Sequence, residues 1–151
     1  MKNLFEPGRA QEVTERLARL KEDSPRQWGR MNAAQAVAHC AKGLEWAVGD
    51  KTPESMWLLP RMIGRIVKPM ALGNDKPMRR NSPTARSLII DDARPLETER
   101  TRLNELIGRF VAGGAVACTT EPHPFFGKLT PEEWAILTYK HLDHHLRQFG
   151  V

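Results

Sequence analysis

The chain has 151 residues, of which 40% are hydrophobic and 27% charged, with a net charge of +5. That length supports one domain, residues 1–151, with a core that needs no disulfide or metal staple. No apolar run is long enough to cross a bilayer, and Met1 to Pro7 lacks the apolar stretch of a secretory signal, so the expected setting is cytoplasmic with no membrane partner.

Four helices are predicted in chain order. The first runs from Gly8 to Lys21 with Val13, Leu17 and Leu20 on one face, and Ser24-Pro25 breaks the chain behind it. The second starts at Asn32, which has capping-box spacing with Gln35, and reaches Val48 before Gly49-Asp50 ends it. The third follows Pro95, with Glu97 and Glu99 in its first turn, a stripe of Leu103, Leu106, Ile107, Phe110 and Val111, and a stop at Gly113-Gly114. The fourth is capped by Thr130, Pro131 and Glu133, stapled by Leu129 and Trp134, and extends to Phe149.

A proline-rich connection of about forty-five residues separates helices two and three. Within it, Met56 to Val67 has the pattern of a short amphipathic helix and Arg86 to Asp91 that of a brief extended piece. A connection this long can carry the chain back along the molecule, so helices two and three can run parallel. The expected fold is all-α, an up-down-down-up four-helix bundle with a long crossover. From Lys51 to Arg86 this region holds eight basic residues and two acidic ones, a net +6, so the remainder is near −1. Such a segment is either a solvated connection or a dock that steers an anionic ligand. It is too poor in interleaved aromatics for a nucleic-acid surface.

The chemistry concentrates in three of the five histidines. At 100° per residue, His141 and His145 share the apolar face of the last helix, and His144 points to its polar flank. Buried imidazoles need partners; a divalent metal supplies them, and so do hydrogen bonds to backbone or water. His39 lies about 10 Å into helix two, and His145 and His141 lie about 6 and 12 Å from the end of helix four. In antiparallel helices the three come level, which favours a ligand role for His39.

His123 precedes the start of the last helix, whereas His141 lies eleven residues beyond Thr130, roughly 16 Å along the axis, which suits a structural role for His123 in the turn with Pro124 better than a fourth ligand. Cys40 is rotated about 100° from His39 and reads as a small buried hydrophobe. Cys118 carries no mark of a nucleophile. Trp28, Trp46, Trp57 and Trp134 read as core and staple. Gln148 and Asn32 are candidates for holding the far nitrogens of the histidines, although capping explains Asn32 equally well.

The stretches Asn32 to Cys40 (Asn-Ala-Ala-Gln-Ala-Val-Ala-His-Cys) and His141 to Gln148 (His-Leu-Asp-His-His-Leu-Arg-Gln) resemble the two signatures of the DinB-like superfamily. His123 to Trp134 resembles a subgroup of it whose function is uncharacterised. The resemblance implies a four-helix bundle, often dimeric, that binds zinc or nickel through His39, His141 and His145. It also implies thiol transfer to a small electrophile. Water activation for hydrolysis and a non-catalytic metal-binding or interaction domain are the alternatives.

Overall fold

The computed structural model describes residues 1–54 and 58–151. They form five α-helices: α1 (Arg9–Ala18), α2 (Ala33–Ala47), α3 (Leu58–Leu72), α4 (Leu96–Gly113) and α5 (Pro131–Gln148). Among the described residues there is no strand, and the extended pairing is limited to one antiparallel bridge between His123 and Gly127. The all-α class expected from the sequence is observed, but the helix count rises from four to five.

The added helix comes from the proline-rich connection. Met56 and Trp57 lie outside the described residues, but Leu58–Leu72 is helical, ending five residues past the expected end at Val67. Pro60 falls in the first turn, where an N–H has no intrahelical partner to lose, so it starts a helix instead of breaking one. Pro69 is tolerated near the other end. The last carbonyls of α3 are satisfied from outside: the Asn74 amide donates to Met70 O at 2.6 Å and the Lys140 ammonium to Ala71 O at 2.6 Å.

The other ends follow local chemistry. Gln35 N–H donates to Asn32 Oδ1 at 2.8 Å and Asn32 N–H to Gln35 Oε1 at 3.1 Å, which completes the capping box on α2. Thr130 and Glu133 do the same for α5 at 3.1 and 2.8 Å, with Pro131 in its first turn. The first helix stops at Ala18, three residues short of Lys21. Arg86 to Leu88 is a 3-10 turn and not the extended piece expected there.

Side-chain bonds fix the helix directions. Gln35 meets Asp92, Glu45 meets Arg102 and Asp50 meets Arg109, so α2 and α4 run parallel. Glu12 meets Tyr139 and Arg16 meets Asp143, so α1 and α5 are parallel too. Leu96 N–H donates to Glu22, while Phe5 stacks on Phe110 at 4.9 Å, which sets α1 antiparallel to α4. Eleven of the fifteen residues of α2 are buried, making it the central helix. Its alanines let α4 and α5 approach closely, and α5 runs antiparallel to it, with Gln148 bonded to the residue-28 carbonyl ahead of α2 and His145 and His141 beside His39. No helix among the described residues is long and apolar enough to cross a membrane.

Candidate metal centre

The antiparallel contact of α2 with α5 places His39 opposite the step between His141 and His145. Ring centroids lie 4.8 Å apart for His39 and His141, 4.9 Å for His39 and His145, and 4.9 Å for His141 and His145, with every pair edge-on. One ring nitrogen from each lies within 4.8 Å of the others, so the set could hold a metal ion. His39 Nε2 and His141 Nε2 are only 2.9 Å apart.

Hydrogen bonds decide which nitrogens carry lone pairs. His39 Nδ1 lies 2.9 Å from Leu88 O, and a carbonyl can only accept, so Nδ1 carries the proton and Nε2 the lone pair. His145 Nδ1 lies 2.8 Å from Gln148 Oε1. The Gln148 amide is oriented by its NH₂, which donates to Trp28 O at 2.8 Å, so Oε1 is the end that accepts from His145. Both outer nitrogens are therefore pinned as donors, which leaves the lone pair of each ring on Nε2. His141 sits against Gly43, where an added Cβ would touch its Cε1 and Nδ1 at 3.4 Å.

The wall behind His145 is apolar, with Val37, Cys40, Leu142 and Leu146. Burial there pushes the His145 pKa down to about 3, against the weaker upward pull of the Gln148 bond. Burial likewise lowers His39 and takes His141 well below the usual imidazole range, with the neighbouring histidines adding to the drop. Three neutral imidazoles brought this close together suit a divalent ion. His39 is 3% exposed and His145 9%, and His141 is partly buried.

The remaining histidines sort as their positions on the sequence suggest. His144 stays out of the cluster: its ring packs on Trp28 at 5.5 Å and its bond goes to the Met78 backbone. His123 belongs to the turn before α5, where its Nδ1 accepts from the N–H groups of Phe125 and Phe126 at 3.1 and 3.2 Å. Its ring is enclosed by Trp46, Phe126 and Trp134, and burial pushes its pKa down to about 4. Cys40 and Cys118 are free and buried, and burial raises both thiols.

Gln148 serves His145, but Asn32 only caps α2; the partner of His39 is the Leu88 carbonyl of the crossover. Trp46 and Trp134 are core residues as expected, while Trp57 lies outside the described residues. Trp28 departs from the expectation. It stands between His144 and Arg80, whose guanidinium lies 4.0 Å from its ring centroid. Two contributors gave no signal in the sequence: Leu88 acts through its backbone, and Gly29 is a lone glycine. Gly29 has φ +77°, and an added Cβ would come within 2.6 Å of the Gln148 amide nitrogen.

Residues 5–150 match the family described as "Protein of unknown function (DUF1569)", and the chain belongs to that family. No curated protein and no solved structure matches it.

Proposed function

We propose that this chain is a metal-dependent enzyme of the DinB-like superfamily. In this reading α1, α2, α4 and α5 make an up-down-down-up bundle, with α3 carried in the crossover. His39, His141 and His145 hold zinc or nickel, and the reaction transfers a small-molecule thiol to an electrophile in the cytoplasm. One observation carries the reading: a ring nitrogen from each of the three histidines converges with the others while the far nitrogens of His39 and His145 are held by acceptors. A divalent ion bound by three neutral imidazoles keeps its full charge and lowers the pKa of a thiol or water beside it.

The chain's own part is positional. Leu88 and Gln148 fix two tautomers, the apolar wall keeps the imidazoles neutral, and Gly43 makes room for the His141 ring. The burial of His39 and His145 favours a second reading, in which the metal serves stability alone.

Metal analysis of protein purified without an affinity tag, followed by a screen of thiols against electrophiles, tests the first reading. His141→Ala separates the two. A catalytic site predicts loss of metal and of transfer activity with the fold intact, since the apolar core remains. A stabilising site predicts that the main effect is a lower melting temperature. Activity that survives in a metal-free, folded variant would sink the enzyme reading.

A further inference from the structure

We propose that Lys42 is a positioning residue for the metal centre, fixing the crossover carbonyl that holds His39, an inference that rests on His39 being a metal ligand. His39 and Lys42 are three residues apart on α2, so their side chains leave the helix on neighbouring turns of one face. Both meet the crossover through its backbone. His39 Nδ1 donates to Leu88 O at 2.9 Å, and the Lys42 ammonium donates to Ser87 O at 3.1 Å and to Ile89 O at 3.4 Å. Lys42 therefore grips the carbonyls on both sides of the one that His39 uses. On the same face, Gln35 Nε2 donates to Asp92 O at 3.4 Å. Among the described residues, no backbone-to-backbone bond ties this stretch of the crossover to α2. Its polar attachment is made by side chains of α2.

The other contacts of this turn do not supply the direction of the Leu88 carbonyl. Leu88 N–H donates to Ala85 O and Ile89 N–H to Arg86 O, bonds within the turn that set its shape but not its place on α2. The Leu88 and Ile90 side chains are buried, and apolar burial is non-directional. It draws the segment inward without choosing which atom faces His39. A cation on the two flanking carbonyls does choose, through charge-assisted bonds about twice as strong as neutral ones. The tautomer of His39 follows from that choice. A carbonyl at Nδ1 places the proton there and leaves Nε2 as the ligand atom. Without the carbonyl either nitrogen can carry the proton, and only part of the population presents Nε2 to a metal.

Long-range proton–nitrogen NMR spectra of the metal-free full chain report the tautomer of each imidazole, and zinc titration against a chelator reports affinity. In wild-type protein His39 and His145 should both show the Nδ1–H form. Lys42→Met keeps the apolar stem but removes the charge and the donors. It should shift the His39 nitrogens toward a tautomer mixture, leave those of His145 unchanged, and weaken zinc binding by about tenfold or more. Lys42→Arg keeps the charge and the donors, so it should restore the His39 signal and most of the affinity. Lys42→Gln keeps only an uncharged donor and should fall between the two; it carries the comparison if the Met variant does not fold. A His39 tautomer that ignores these substitutions overturns the proposal. So does a shift shared equally by His145, or an Arg variant no better than Met, because a general loosening of the fold would produce either. Wild-type protein that takes up no zinc fails the metal reading and the proposal together, whereas zinc binding that survives Lys42→Met undiminished overturns the proposal alone.

Discussion

His145 depends on Gln148 for the direction of its donor atom, and Gln148 depends on the backbone around residues 28 and 29. Gln148→Leu removes the acceptor at similar bulk, so metal affinity should fall by about 10- to 100-fold in chelator competition while the helix remains. Gly29→Ala and Gly8→Ala form a matched pair, since both glycines have φ near +80° but nothing lies within 4 Å of the Cβ position at Gly8. Gly8→Ala should cost about 1 kcal/mol for its backbone alone. Gly29→Ala should cost more and also weaken metal binding, because its methyl displaces Gln148; equal effects in the two variants would break the link. His123 gives a pH signature. Its pKa is held at about 4 in the fold against 6.5 when unfolded, so the unfolded chain takes up the proton first and stability falls as pH drops below 6.5. Between pH 7 and pH 5 that loss is about 2 kcal/mol. His123→Asn retains an acceptor for the Phe125 and Phe126 N–H groups but cannot titrate, so melting curves should show a shallower pH dependence for the variant.

At the scale of elements, caps outweigh surface ion pairs. Thr130→Ala removes the side-chain acceptor for Glu133 N–H and should lower stability by about 1 kcal/mol in urea titration. Arg109→Ala removes a bidentate bond to Asp50, yet Arg109 is 57% exposed, so the same titration should show a smaller loss than Thr130→Ala. Helix starts were legible because a capping box is a local device: Asn32 with Gln35 and Thr130 with Glu133 need only each other and three residues of helix. Helix α3 was half legible. Its period showed, but its end beyond Val67 depends on Asn74 and Lys140 satisfying the Met70 and Ala71 carbonyls that the end of the helix would otherwise strand.

For the whole molecule, the histidine cluster should link metal to stability. Zinc at about 100 times its dissociation constant should add about 2.7 kcal/mol to the unfolding free energy, and His141→Ala should abolish that gain while the apo variant melts cooperatively. The direction of α4 beside α2 makes this linkage effective. Parallel contacts from Gln35 to Asp50 lock α2 against α4, so His39 meets the α5 pair from a fixed helix.

The sequence by itself determined which histidine faces are shared, because a 3.6-residue period places His141 and His145 on one side and His144 on another whatever surrounds them. It also set the caps, and the long crossover that allows α2 and α4 to run parallel. Only the tertiary structure decided what pins the imidazoles and what the crossover presents to solvent. Leu88 reaches His39 through a carbonyl that every residue type possesses, and Gly29 makes room for Gln148 across more than a hundred residues of chain. Trp28 read as core but stacks beside Arg80 and His144, a placement that hydropathy cannot supply because a large aromatic ring suits both environments. Periodicity reports which face of a helix is apolar; whether that face meets a core or lies bare, as Ile66 and Met70 do, depends on contacts made far away in sequence.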